Sequence, residues 1–172
     1  MSAELSMSLK AAMSDGFDPE ECRMDMIRPA AIQDAFRLAE IEIVNYRMFF
    51  YPIFRTERYF FSELSVPVLA QEYSAEPERI AHTTVYDDGV VKGFIRVCGN
   101  EIEKLFVEPA FQGNGIGNTL LRYATMQLGA NRLQVLEKNV RAIRFYQRNG
   151  FCLTEQKQRI DDTSEFLIWM DR

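Results

Sequence analysis

The sequence has few of the residues that bind metals or cross-link secreted proteins, with one histidine and three cysteines in 172 residues. Cys22, Cys98 and Cys152 are odd in number and widely separated, without the C-x-x-C spacing of a metal or redox site. No His, Cys or Asp cluster has metal-ligand spacing, so we expect no metal cofactor. Unpaired cysteines are typical of a reducing compartment, which predicts a cytoplasmic protein.

Long hydrophobic runs are also missing. The most aromatic stretch, residues 46–61, is interrupted by Arg47, Arg55 and Arg58, so no segment is expected to span a bilayer. Residues 1–25 contain several acidic side chains and no apolar core, which is unlike a secretory signal. We therefore expect no membrane partner.

The charge is distributed unevenly along the chain. The net charge at pH 7 is −5, which argues against general nucleic-acid binding. Residues 101–150, however, hold seven lysines and arginines against four glutamates. A positive segment in an acidic chain suggests a small anionic ligand, although ordinary solvated helix faces explain it equally well.

The order of predicted elements indicates the fold class. Residues 1–23 are polar and are predicted to be a mobile extension or an extra helix before a single domain at residues 24–172. A strand at residues 26–29 precedes two helices, three antiparallel strands, a helix, a strand, a helix and two final strands. This order predicts an α+β fold with one mixed, mostly antiparallel sheet of about six to seven strands, flanked by about four helices.

Hydrophobic spacing also predicts the boundaries of individual elements. Residues 32–50 have helical spacing, and Thr56 is a good N-cap for a second helix. Residues 80–86 and 90–98 are predicted to pair as a hairpin. His82, the single histidine, is therefore placed on a strand, where we expect a structural role.

The most informative segment is a glycine-rich loop between a strand and a helix. Gly113, Gly115 and Gly117 follow the apolar strand at residues 101–107, just before helical spacing begins. Glycine allows a ligand to approach backbone N–H groups, and the helix N-terminus adds unpaired donors, so the loop predicts phosphate binding. The spacing is not that of a nucleoside-triphosphate loop. A dinucleotide site with Glu137 as the ribose-binding acid is an alternative.

Two sequence motifs follow each other in this half of the chain. The first is Gln112-Gly113-Asn114-Gly115-Ile116-Gly117, and the second is the N-x-x-A-x-x-x-Y-x-x-x-G-F pattern of residues 139–151. Their order and separation resemble the hallmarks of the GNAT superfamily of acetyl-CoA-dependent N-acetyltransferases. The predicted element order from about residue 24 onward is also similar to that superfamily.

The resemblance implies a function and a cosubstrate. The chain is expected to be a transferase that moves the acetyl group of acetyl-CoA to a primary amine of a small molecule or peptide by direct nucleophilic attack, without a metal. A non-catalytic module on the same fold, acting as an acyl-CoA sensor or binding a partner, is the alternative. The identity of the acceptor amine and whether the chain forms a homodimer are left open.

The resemblance also assigns residues to the cosubstrate. Backbone groups at residues 105–107 are implied to pair with the pantetheine arm, the glycine loop to wrap the pyrophosphate, and Asn139 to bond the pantetheine. The implied cofactor-binding residues are Leu105, Phe106, Val107, Gln112, Gly113, Asn114, Gly115, Ile116, Gly117, Asn139 and Tyr146.

Three residues are implied to be catalytic. A strand bulge is implied to aim the Val107 N–H at the thioester carbonyl as the oxyanion donor. Tyr146 lies seven residues after Asn139, on the same helix face, and is implied to protonate the departing thiolate, unless it is only a core aromatic. Glu103, placed by alternation on the strand face of Val107, is the implied base, although a solvated glutamate is the alternative. Gln134 replaces a base that some members carry, so water is a second candidate.

The aromatic stretch at residues 46–61 is the remaining feature of note. In the superfamily that the motifs resemble, the first two helices line the acceptor cleft, which implies recognition of an apolar or aromatic amine. Core packing or a dimer interface explains the composition equally well.

Overall fold

A computed structural model describes residues 23–172 of the chain. The extension expected at residues 1–23 therefore lies outside the described residues, apart from Arg23. The strands are β1 (Ile27–Pro29), β2 (Thr83–Asp87), β3 (Val91–Cys98), β4 (Glu101–Val107), β5 (Arg132–Leu136), β6 (Cys152–Arg159) and β7 (Phe166–Asp171). They form one seven-stranded sheet in the order β1-β2-β3-β4-β5-β7-β6, which confirms the predicted α+β class.

Six α-helices accompany this sheet in the described part of the chain. They are α1 (Ala35–Asn45), α2 (Tyr51–Phe54), α3 (Val66–Ala75), α4 (Pro77–Ala81), α5 (Ile116–Gln127) and α6 (Val140–Arg148). The sequence predicted about four helices. The short helices α2 and α4 are additional, because they lie in segments where the sequence pattern predicted no separate helix. None of the helices within residues 23–172 combines the length and hydropathy that a bilayer crossing requires.

Predictions for the first half were confirmed in part. Residues 32–50 are helical throughout, as predicted, but the helix changes type: a 3₁₀ turn at Ile32–Asp34, then α1, then a π-helical segment at Tyr46–Phe50. The second predicted helix begins directly after Thr56, over residues 57–63, and most of it is a π-helical segment at Tyr59–Glu63. It ends before α3, which has Pro67 in its first turn, where the missing N–H would have no helical acceptor. His82 is exposed and directly follows α4, so it is not on the hairpin strand.

Both faces of the central strands are covered. Phe94 and Ile95 are neighbours on β3 and both are completely buried. Their side chains alternate, so Phe94 packs with a cluster that includes Leu38 of α1 and Ile95 with a cluster that includes Leu120 of α5. The α1 and α3 side of the sheet is therefore separated from the α5 side by β2, β3 and β4.

The sheet splits between β4 and β5. These parallel strands pair only at Glu101 with Arg132 and at Ile102 with Leu133. β5 instead pairs with β7 along its whole length. Beyond Ile102 the facing edges of β4 and β5 have no strand partner in the described chain, and a cleft opens between them.

Candidate active site

The cleft at the split has a volume of about 840 Å³. It is lined by the second half of β4, the end of β5, the glycine loop, the first turn of α5 and one face of α6. Every residue that the motifs assign to the cosubstrate lines this cleft except Asn114, and Glu103 lines it as well. Residues that are far apart in sequence therefore meet at one site.

The edge of β4 presents backbone groups to this cleft. The Glu108 N–H donates to the Lys92 carbonyl at 2.8 Å, on the β3 side. Because ladder residues alternate, Val107 turns its own N–H and C=O the other way, toward the cleft. The Val107 carbonyl there accepts bonds from Asn45 Nδ2 at 3.1 Å and Gln112 Nε2 at 2.8 Å. Its N–H faces an edge where the described chain has no strand.

The bulge in β4 lies upstream of the expected place. The register of β3 and β4 shifts by one residue at Glu103, which is left without a partner between Ile102 and Lys104. Val107 is instead a regular ladder residue. The open direction of its N–H therefore results from the split between β4 and β5 and not from a bulge at the strand end.

Two carboxylates lie on the cleft wall near the start of β4. The shift at Glu103 interrupts the alternation that predicted Glu103 on the face of Val107, although Glu103 is exposed and does line the cleft. Glu101, which sequence reasoning missed, lines it too. Burial and the nearby charge of Glu103 raise the pKa of Glu101. The E-x-E spacing at the start of β4 indicates that the two carboxylates are neighbours, but it does not indicate the burial that raises the pKa of Glu101.

The glycine loop ends at the first turn of α5. Gly115 has a φ of 83° and directly precedes the helix, so a residue with a Cβ would be strained there. The first N–H groups of α5 have no helical acceptor and lie at the cleft. This loop and helix start together provide unpaired donors suited to a phosphate group.

A polar chain ties the loop to three other elements. Gln112 Nε2 bonds both the Val107 carbonyl and Asn45 Oδ1, the latter at 3.2 Å. Gln112 Oε1 accepts from Arg141 Nη2 at 2.6 Å, and the Arg141 guanidinium lies 4.8 Å from the ring centre of Phe49. Asn45 and Arg141 were missed from sequence, since neither belongs to a local pattern that indicates these partners.

The helix α6 contributes Asn139 and Tyr146. Asn139 Oδ1 accepts from the Ala142 N–H at 3.1 Å, so Asn139 is the N-cap of α6. Tyr146 is 9% exposed and packs edge-to-face on Phe145 and Phe151. Burial raises the pKa of the Tyr146 hydroxyl, and no residue in the range 23–172 bonds to that hydroxyl. It stays protonated at neutral pH and available to donate.

Three aromatic rings line the cleft on the α1 side. Tyr46 lies 4.8 Å from Phe50 and 5.5 Å from Phe106 between ring centres, and Phe50 lies 6.1 Å from Phe106. All three contacts are edge-to-face, a favourable arrangement for aromatic pairs. The cluster forms an apolar wall opposite the end of β5.

A buried charge network lies beneath this wall. Lys104 pairs with Glu42 of α1, and its Nζ also bonds the Tyr46 hydroxyl at 3.2 Å. The Tyr73 hydroxyl donates to Glu42 at 2.6 Å and accepts from Arg96 at 2.6 Å. Burial lowers the pKa of Lys104, while Glu42 opposes that shift. The network fixes α1 and α3 against β3 and β4.

No metal centre is evident in the described chain. Within residues 23–172, no three His, Cys, Asp or Glu side chains come close enough together to hold a metal ion.

Comparison with known proteins gives the class to which this fold and cleft belong. Residues 79–152 match the family model described as an acetyltransferase (GNAT) domain. The match includes β2 to β5, the glycine loop, α5 and α6. Residues 79–152 are therefore similar to an acetyltransferase domain of the GNAT superfamily.

Individual relatives agree with this class. The chain is 31% identical over 86 residues to the peptidyl-lysine N-acetyltransferase YjaB of Salmonella typhimurium, across 50% of this chain and 59% of that protein. The chain thus spans less than two thirds of that relative.

Solved structures share the fold. The solution structure of apo YjaB from Escherichia coli is similar with a TM-score of 0.66 at 21% identity, covering 84% of this chain and 95% of that chain. The crystal structure of the PaiA N-acetyltransferase from Thermoplasma acidophilum, in complex with coenzyme A, has a TM-score of 0.61 at 24% identity, covering 85% and 98%. At these identities the similarity establishes the fold alone.

Proposed function

We propose that the chain is an acetyl-CoA-dependent N-acetyltransferase whose acceptor is a primary amine, namely the lysine side chain of a peptide or protein. The observation that carries the proposal is the open edge of β4, where the Val107 N–H has no strand partner in the described chain and lies beside the glycine loop. The relative YjaB is named a peptidyl-lysine N-acetyltransferase, which supports lysine as the acceptor. The PaiA structure contains coenzyme A, which supports acetyl-CoA as the cosubstrate.

The cleft has the shape and chemistry that the cosubstrate needs. The backbone at residues 105–107 pairs with the amide-containing pantetheine arm as an added strand would. Residues 112–117 and the start of α5 hold the pyrophosphate with N–H donors. Asn139 keeps its Nδ2 group, which has no partner in the described chain, for a pantetheine carbonyl.

Catalysis follows from three groups around the thioester. The amine nitrogen attacks the carbonyl carbon, and the Val107 N–H donates to the oxygen as it gains negative charge. As the new C–N bond replaces the C–S bond, Tyr146 gives its proton to the departing thiolate. Glu103 or a water takes the proton that the ammonium must lose, and the raised pKa of Glu101 makes that carboxyl a second candidate base.

The acceptor end of the cleft suits a lysine side chain. Glu101 and Glu103 attract its ammonium group. The rings of Tyr46, Phe50 and Phe106 provide an apolar wall for the methylene stem and a favourable face for a cation.

Acceptor class is tested by acetyl transfer to three amines: a lysine peptide with a blocked N-terminus, a lysine-free peptide with a free N-terminus, and a simple alkylamine. Thiol release and the mass of each product are measured. We expect acetylation of the lysine side chain. Transfer only to the alkylamine or to the N-terminus would contradict lysine as the acceptor. Binding of acetyl-CoA without transfer to any amine would contradict the proposed enzymatic activity.

A further inference from the structure

A second cavity, of about 480 Å³, lies beside the glycine loop on its α5 side. Four arginines from separate parts of the chain line it: Arg23 before β1, Arg122 on α5, Arg148 on α6 and Arg172 at the C-terminal end. No acidic residue of the described chain lines it. It adjoins the cleft, because Gly115, Asn118, Arg148 and Asn149 line both.

Three of these arginines have no counter-charge among the residues that the structure describes. The side chains of Arg23, Arg148 and Arg172 have no ion pair or hydrogen bond within residues 23–172. Arg28 by contrast pairs with Asp34, and Arg37 with Glu108. Positive groups that converge without a counter-charge create a potential that favours an anion.

The position of Arg23 connects this cavity to the phosphate-binding loop. A Cβ added at Gly115 would overlap with Nη1 of Arg23, so the guanidinium lies directly against the loop. Arg23 and Arg172 both fall outside residues 79–152, the part that matches the family model.

We propose that this cavity binds a phosphate monoester, the 3′-phosphate of acetyl-CoA. Arg23 and Arg172 then make the enzyme prefer acetyl-CoA to its 3′-dephospho form. This inference rests on the proposed function. Guanidinium groups bind phosphate oxygens through paired N–H donors, and two or more around one dianion give strong, charge-assisted bonds. A pyrophosphate on the loop places the rest of the nucleotide within reach of this cavity.

The experiment compares KM for acetyl-CoA with KM for acetyl-3′-dephospho-CoA. The double variant Arg23→Gln/Arg172→Gln is matched by Arg144→Gln/Arg159→Gln, which removes the same charge at exposed arginines that line neither cavity. We expect the native chain to prefer acetyl-CoA by about tenfold or more, since about 1.4 kcal/mol corresponds to tenfold. The cavity variant should lose most of that preference through KM, because the phosphate is remote from the reacting carbonyl. The control should keep it.

Equal KM values for the two cosubstrates in the native chain would overturn the inference, as would equal loss of preference in both double variants. If inorganic phosphate stabilises the native chain but not the cavity variant while the two cosubstrates are used equally, the cavity holds a separate phosphate and the inference is also overturned. Should the cavity variant fail to fold, Arg172→Gln alone, at an exposed position, is measured instead. Turnover without preference contradicts this inference only, whereas absence of turnover with acetyl-CoA contradicts the proposed function.

Discussion

Tyr146 is the side chain whose environment bears most directly on the proposed chemistry. Removing its hydroxyl in Tyr146→Phe keeps the packing on Phe145 and Phe151, so the fold should be retained. We expect kcat to fall by about 10²–10⁴, the usual contribution of a positioned acid, with little change in KM for acetyl-CoA. Steady-state kinetics by thiol release measures both.

The control for this variant is Tyr123→Phe, a tyrosine on α5 that does not line the cleft. Because burial raises the pKa of the Tyr146 hydroxyl, native activity should not decline between pH 7 and about 9 through loss of that proton. Native-like kcat in Tyr146→Phe would exclude it as the acid.

At the scale of single residues, the sequence predicted groups that a local pattern marks. The glycine loop is one such group, and the seven-residue spacing of Asn139 and Tyr146, which both line the cleft, is another. Asn45 and Glu101 could not be found this way. The importance of Asn45 comes from its contact with the Val107 carbonyl, 62 positions away, and the perturbation of Glu101 comes from burial that only the folded sheet produces.

Among the elements, α1 and β4 are joined by the buried pair of Glu42 and Lys104. Glu42 is 2% exposed and is the carboxylate that neutralises Lys104 and, through Tyr73, Arg96. Glu42→Gln leaves buried positive charge unpaired, and we expect the free energy of unfolding to fall by about 3–5 kcal/mol. Denaturant unfolding measures this loss.

The double variant Glu42→Gln/Lys104→Met distinguishes charge from packing. Because it removes both partners, it should be more stable than Glu42→Gln alone. If the two substitutions instead destabilise additively, the pair is not coupled and the network does not fix α1 on β4.

The glycine loop offers a matched pair of substitutions. Gly113 and Gly115 have φ angles of 84° and 83°, so alanine at either should destabilise the chain by about 1–2 kcal/mol. A Cβ at Gly113 meets nothing within 4 Å, whereas one at Gly115 displaces Arg23. Titration calorimetry should show a larger loss of acetyl-CoA affinity in Gly115→Ala, and equal losses would contradict the placement of Arg23.

Sequence patterns predicted which elements exist better than how they are arranged. Alternation and turn residues gave the order of strands, and helical spacing gave α5 and α6. The split after Ile102 has no local signal, because β4 and β5 are both ordinary apolar strands whose pairing is decided by packing across the sheet. The π-helical segment after α1 likewise reflects how aromatic side chains from Tyr46 to Phe50 fit against Phe106.

For the whole molecule, Asp34 links stability to pH. Arg28 holds the pKa of Asp34 below its ordinary value, and Arg28 also bonds Asp87, so the cluster joins β1, the start of α1 and β2. A lowered pKa in the folded state means that the stabilisation is complete above the unfolded value of about 3.9 and is lost as pH falls through the folded value.

The stability difference between the native chain and Asp34→Asn should therefore be constant from pH 7 to about pH 5 and shrink below about pH 4. Urea unfolding across this range measures it, with the exposed Asp161→Asn as control. A difference that is independent of pH would mean that Asp34 stabilises the fold without its charge.

Binding of acetyl-CoA in the cleft between β4 and β5 is tested most directly by the melting temperature with acetyl-CoA, CoA, NAD(H) or NADP(H), in the native chain and in Gly115→Trp. A ligand at 100 times its Kd adds about 2.7 kcal/mol, which raises Tm by several degrees for a domain of this size. We expect acetyl-CoA and CoA to stabilise the native chain, the dinucleotides to have no effect, and Gly115→Trp to melt cooperatively without a ligand shift. An unchanged Tm with acetyl-CoA, or the same shift in Gly115→Trp, would contradict the proposed site and every catalytic role assigned around it.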